Sequence, residues 1–137
     1  MQIDQMRALV AVARVAHLGT IDHDGRAHLV PCVFALERDT VHLVVDRKPK
    51  RSTALRRLAN LRRDPRATLL VDHYEEDWRA LWWVRMRGRA RIVDDERDVE
   101  RTLALLRAKY EQYDQTPLTE IAIRIEIDEW RGWRAAG

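Results

Sequence analysis

Apolar positions along the chain recur with two different periods. Residues 82–95 (WWVRMRGRARIVDD) alternate for much of their length, with Val84, Met86, Gly88, Ala90 and Ile92 on one face and Arg85, Arg87, Arg89 and Arg91 on the other. A period of two predicts a long strand with one wet face. Gly88, in the middle of it, predicts a bulge or a close backbone approach. Residues 119–128 (TEIAIRIEID) alternate as strictly, with Ile121, Ile123, Ile125 and Ile127 inward and Ala122, Arg124, Glu126 and Asp128 outward. Shorter apolar runs at 17–22, 27–36, 41–46 and 67–74 predict further strands. Asp24-Gly25 separates the first two of these and signals a tight hairpin. Pro31 has no N–H to donate, so its strand should be interrupted or lie on an edge there.

The helical period governs three other segments. Residues 4–16 are rich in Ala and Leu, with Asp4 as an N-cap. Residues 53–63 can be capped by Ser52 or Thr53 and stopped by Asp64-Pro65. Residues 96–113 carry Val99, Leu103, Leu106 and Tyr110 on one face, and Thr116-Pro117 breaks the run. The tail 129–137 (EWRGWRAAG) adds two tryptophans outside any predicted element. About six strands and three helices result, with the strands following one another directly and the helices inserted between them. This order favours a mainly β, α+β chain: an antiparallel sheet closing into a small barrel, helices packed outside, as a single domain over 1–137.

Composition narrows the function classes. With 46% apolar and 34% charged residues the profile is that of a folded soluble chain, not a disordered one. A net charge of +3 is light for a strong nucleic-acid binder. No apolar run approaches the ~18 residues of a transmembrane helix, and MQIDQMRALV lacks the features of a signal peptide. The single cysteine, Cys32, cannot form an intrachain disulfide, which fits a reducing compartment and an expected cytoplasmic location.

Candidate chemistry is sparse. The five histidines make no HxxxH or HExxH pair and Cys32 has no CxxC partner, so no metal site is expected. Cys32, beside Pro31 on an apolar strand, reads as a small buried filler. No nucleophile motif or acid–base pair stands out. The stretch 46–66 (DRKPKRSTALRRLANLRRDPR) is different. Lys48, Lys50 and Arg51 follow a strand directly, and Ser52 and Thr53 open a helix. Free N–H groups at a helix start, beside Lys and Arg, make a compact phosphate site. Arg56, Arg57, Arg62 and Arg63 read instead as a solvated face. No aromatics interleave this stretch, which disfavours single-stranded nucleic acid. Trp78, Trp82, Trp83, Trp130 and Trp133 are many for so short a chain. Neighbouring Trp82 and Trp83 point to opposite faces, so one of them lies outside the barrel, as packing or as a wall for a flat ring.

Taken in order, HLGTIDHDGRAHLVPCVFALERDTVHLVVD, KPKRSTALRRLANLRRDPRATLLVD and VDHYEEDWRALWWVRMRGRARIVDD resemble the pyridoxamine-phosphate-oxidase-like split-barrel flavoproteins. The matching features are the Gly19-Thr20 element, the DG hairpin, the Val30-Pro31 strand, the basic loop with its helix and Asp-Pro stop, and Gly88-Arg89-Ala90 on the long strand. Within that superfamily the chain resembles the actinobacterial branch assigned the deazaflavin coenzyme F420. The resemblance implies a split β-barrel homodimer with cofactors at the subunit interface. It implies a cofactor phosphate near Lys48, Lys50, Arg51, Ser52 and Thr53. Thr20, Val30, Pro31, Cys32 and Val33 would lie against the cofactor, Trp82, Trp83 and Arg85 would line the interface pocket, and Trp133 would close over it. The implied activity is hydride transfer between F420 and a small unsaturated or conjugated substrate, with Arg85 as the candidate catalytic residue. An FMN-dependent oxidase or reductase of the same fold, a non-catalytic cofactor or haem binder, and a small nucleic-acid-binding barrel are the alternatives.

Overall fold

The computed structural model describes residues 1–45, 53–115 and 121–136. In chain order they form α1 (Ile3–Val12), β1 (Ala16–Ile21), β2 (Ala27–Cys32), β3 (Ala35–Glu37), β4 (Thr40–Val44), α2 (Thr53–Arg63), β5 (Arg66–His73), β6 (Trp82–Val93), α3 (Glu96–Lys109) and β7 (Ala122–Arg134), with 3₁₀ turns at Trp78–Ala80 and Glu111–Gln115. The strands make one antiparallel sheet of seven strands, ordered β2-β1-β5-β6-β7-β4-β3. This is the split-barrel fold, mainly antiparallel sheet with three helices. It has one strand more than the sequence predicts, because the run 27–36 breaks after Cys32 and resumes at Ala35. Asp24-Gly25 turns the first hairpin as expected, with Gly25 at φ +84°, a conformation a side chain would strain. No helix among the described residues is long and apolar enough to cross a membrane.

The inner face of the sheet is the core. Leu18, Leu69, Val71, Val84, Met86, Ile123 and Ile125 are buried there, with Met6 and Val10 of α1 and Leu58 and Leu61 of α2 packed against the same cluster. Each such side chain contributes roughly 1.5–3 kcal/mol by leaving water. The outer face is not uniformly wet, contrary to the simple alternation. α3 covers it over β4 and β7, so Val99 and Leu103 pack on Ala122 and Val93. Arg124, expected to face solvent, is only 8% exposed. Its Nη2 donates to the Asp98 carbonyl at 2.8 Å. α3 is started by Asp95, whose carboxylate accepts from the N–H groups of Arg97 and Asp98.

β6 and β7 hold the longest pairing in the sheet, and it contains one irregularity. Arg87 pairs with Glu129, but Gly88 pairs with Ile127, so Asp128 is an extra residue in β7. Gly88 is required where the strands close: a Cβ there would stand 2.0 Å from the Glu126 carbonyl oxygen. The bulge also reverses the alternation. Before it Ile123, Ile125 and Ile127 face the core; after it Trp130 pairs with inward Met86, while Trp133 pairs with Trp83 on the outer face. The tryptophan tail is thus the second half of β7.

Candidate functional site

Strand registers bring several predicted residues onto the outer face of β2-β1-β5-β6-β7. Pro31 pairs with His17, His17 with Leu70, Leu70 with Arg85, and Arg85 with Arg131, forming one row across five strands. The neighbouring row runs Asp72, Trp83, Trp133. Where these rows meet β5, β6 and β7 there is an open groove of about 510 Å³, walled by Leu70, Trp82, Trp83 and Trp133, with Tyr74 and His73 at one end. Its walls are mostly aromatic or aliphatic. Apolar surface is unusually open here: Leu70 is 37% and Trp133 46% exposed. His73 stacks on Trp82 (centroids 6.1 Å apart, planes 16° apart) and its Nε2 lies 2.6 Å from the Glu75 carboxylate.

Arg85 is the cation of this groove. Its guanidinium lies 5.7 Å from the Trp83 ring centroid, a cation–π arrangement. Its Nε is buried and has no hydrogen-bond partner among the described residues. A buried, unsatisfied N–H is costly, and a ligand acceptor would relieve it.

A second cationic cluster forms where β2 passes into β3. Cys32 is buried, which pushes its thiol up to about 11, while the nearby charges of Arg57 and Lys109 pull it the other way. Cys32 is therefore a neutral thiol at physiological pH, not a nucleophile. Lys109 donates to the Phe34 carbonyl at 3.0 Å and sits 3.8 Å from the Phe34 ring centroid. Burial, then the neighbouring Arg14, lowers its ammonium to about 8. Arg57 Nε is the other buried arginine N–H without a partner among the described residues.

α2 is tied to β1 by a polar brace. Asn60 Nδ2 donates to Thr20 Oγ1 and to Asp22 Oδ1, both at 3.0 Å, and Arg56 makes a two-pronged pair with Asp22 at 2.9 and 2.7 Å. The Arg56 and then the Asn60 hydrogen bonds hold the Asp22 carboxyl down at about 2.

A family model described as pyridoxamine 5'-phosphate oxidase matches residues 3–134. The chain belongs to the pyridoxamine 5'-phosphate oxidase family. No curated protein matches it. Among solved structures, the chain is similar to the conserved hypothetical protein Rv2991 of Mycobacterium tuberculosis (24% identity, 98% of this chain and 85% of that one, TM-score 0.81). It is similar to a FAD-binding protein of Mesorhizobium loti (18% identity, 96% and 94%, TM-score 0.72). It is also similar to HutZ, the heme storage protein of Vibrio cholerae (16% identity, 96% and 91%, TM-score 0.71). At these identities the likeness concerns the fold.

Against that family fold, the predicted site residues separate by place. Trp82, Trp83, Arg85 and Trp133 come together on the groove. Pro31 and Val33 are exposed at the β2 edge of the same sheet, away from the groove, while Val30 and Cys32 point into the core. Thr20 is 2% exposed and already bonded to Asn60, which leaves it no free surface for a ligand. Lys48, Lys50, Arg51 and Ser52 lie outside the described residues, as does the side chain of Thr53. Sequence reasoning missed Arg57 and Lys109. Arg57 was hidden in a run of arginines on one helix; the structure separates Arg56 and Arg63, which bind Asp22 and the Ile21 carbonyl, from Arg57 beside Cys32.

Proposed function

We propose that the chain is an F420-dependent oxidoreductase acting on a small conjugated substrate, as a homodimer with the cofactor between subunits. The observation that carries this reading is the aromatic groove with Arg85 Nε buried and unpartnered inside it, on a sheet face that keeps Leu29, Pro31, Val33, Leu70 and Trp133 exposed. An apolar face of this kind suits a second copy of the chain and a flat ring between the copies. The residues fit a phosphate-bearing cofactor: among the described residues Arg57 offers a buried N–H with no partner, Lys109 a half-desolvated ammonium, and neither is in an ion pair with a carboxylate. The basic residues 48–51 precede α2 and would add to that charge. When bound, a deazaflavin supplies the hydride, so the chain needs no acid–base pair of its own. The protein's part is to hold the ring, keep water out and seat the acceptor, with Arg85 stabilising negative charge that develops on it. A lone reduced Cys32 supports a cytoplasmic setting.

FMN is the second reading, favoured by the FAD-binding relative of the same fold. A paired titration with coenzyme F420 and FMN, followed by cofactor fluorescence at moderate salt, separates them. Tight binding of F420 alone supports the proposal. Tight binding of FMN alone transfers it to the flavin. Binding of neither overturns it and directs the next titration to haem.

A further inference from the structure

The groove on β5–β7 has a chemical asymmetry that bears on what it accepts. Its walls are rings and aliphatic carbons, and Arg85 is the arginine among its lining residues. That arginine is committed to nothing. Among the described residues it forms no ion pair and no hydrogen bond; its guanidinium lies against the Trp83 ring, and its cross-strand neighbour on β7, Arg131, is a like charge that cannot pair with it. Two other arginines of this sheet face are paired: Arg87 lies 3.5 Å from Glu129, and Arg66 is clasped by Asp64 at 2.7 Å. Arg89 and Arg91 are exposed to solvent, whereas the open Nε of Arg85 is buried on the groove. Asp72 borders the same groove opposite Trp83, yet it does not reach Arg85. A charged side chain held against an aromatic wall, with a buried N–H left open, is arranged to receive an acceptor group from outside the chain.

We propose that the groove seats a planar aromatic or conjugated acceptor carrying one anionic group, with Arg85 binding the anion and Trp83 and Trp133 holding the ring. One anionic group is specified, not several, because Asp72 opposes further negative charge. This names the substrate class for the oxidoreductase reading above and rests on it for the reaction, but the binding itself can be measured without cofactor. The aromatic walls suit a flat ring because stacked and edge-on contacts add to area burial. The guanidinium suits a carboxylate because a charge-assisted hydrogen bond in a partly desolvated site is about twice as strong as a neutral one.

The test is isothermal titration calorimetry of the cofactor-free protein with 2-naphthoate and its neutral isostere 2-naphthamide at neutral pH. The naphthoate should bind about tenfold more tightly, the size expected for one hydrogen bond to a charged group. Arg85→Gln should abolish that preference, weakening naphthoate by about tenfold more than naphthamide. Trp133→Leu should weaken both ligands several-fold and keep the preference. Should Arg85→Gln fail to fold by circular dichroism, Arg85→Lys takes its place and should retain part of the preference, because a point cation still attracts the anion. Equal affinities in the parent protein, an equal loss of both ligands in the Arg85 variant, or no binding of either would overturn the proposal. The cofactor titration is independent. Naphthoate preference without F420 or FMN binding would leave the anion groove standing and remove the oxidoreductase reading; the reverse would remove the groove's assignment alone.

Discussion

Replacing Gly88 by alanine tests the geometry that builds the groove. The new Cβ would stand 2.0 Å from the Glu126 carbonyl oxygen, 2.8 Å from its carbonyl carbon and 3.0 Å from Ile127 Cα. All three obstacles are backbone, so no side chain can swing away. Ordinary carbon–oxygen contact needs a separation more than an ångström longer, and β6 and β7 must part by that amount at the bulge. Overpacking of a fitted site costs about 1–3 kcal/mol, more when backbone must move, and neighbouring ladder hydrogen bonds lengthen as well. We expect a loss of about 3 kcal/mol or more, which for a chain of this size corresponds to a fall in Tm of roughly 10 °C. The assay is urea unfolding followed by circular dichroism, with the midpoint compared at constant slope. Gly19→Ala is the control: its Cβ would meet the movable Leu29 Cδ2 at 3.2 Å and the Thr68 carbonyl oxygen at 3.5 Å, so a loss under about 1 kcal/mol is expected. A Gly88→Ala protein as stable as the parent, or no worse than the Gly19 variant, would refute the close approach.

Three further outcomes follow from charge. His42 is buried, with Nδ1 3.0 Å from Thr102 Oγ1, and burial followed by the Arg124 charge lowers its pKa. Its folded-state pKa lies below the ordinary value near 6.5, so its favourable contribution is complete above that value and is lost as pH falls below it; the urea midpoint should drop as pH falls through about 6.5, and His42→Gln should flatten that slope. Asp22, held at about 2 against an ordinary 3.8, contributes fully above its ordinary value. That contribution disappears as pH falls toward 2, so Asp22→Asn should be destabilised at neutral pH and should lose the acid-dependent part of the parent's unfolding profile. Lys109, lowered to about 8, should acetylate before Lys48 and Lys50 under limiting reagent at pH 8, with a labelling midpoint near that value by mass spectrometry; labelling with a midpoint at the ordinary lysine value would contradict its desolvation.

Much of this arrangement is legible in the chain because alternation records the face of a strand. Trp83 and Arg85 follow the outward phase of β6, and reading them together as one pocket needs nothing beyond a period of two. Trp133 is harder. Counting by twos from Ile127 assigns it to the core, and only the extra residue at Asp128 turns it outward. The burial of Arg124 was hidden for another reason: periodicity names a face but not what lies on it, and here α3 lies on it. Thr20 is placed against the cofactor only by the family resemblance; the partner that occupies its hydroxyl, Asn60, is 40 residues distant in sequence. Arg57 and Lys109 meet near Cys32 from two different helices, a convergence no local pattern encodes.

β7 also fixes when the molecule can be completed. It lies between β6 and β4, bonding to twelve positions of the first and five of the second, and it is made after all the other strands. During synthesis the β1–β2–β5–β6 portion and the β3–β4 hairpin can each form early, but no strand pairs with both until residues 122–134 leave the ribosome. At about 5–20 residues per second, both unfinished edges wait seconds for their shared neighbour. The nascent chain therefore presents the rim of β6, with Trp82 and Trp83 on it, as an open template for pairing with other chains. Heavy use of arginine along that rim, at Arg85, Arg87, Arg89 and Arg91, gives the waiting strand a charge that discourages such partners.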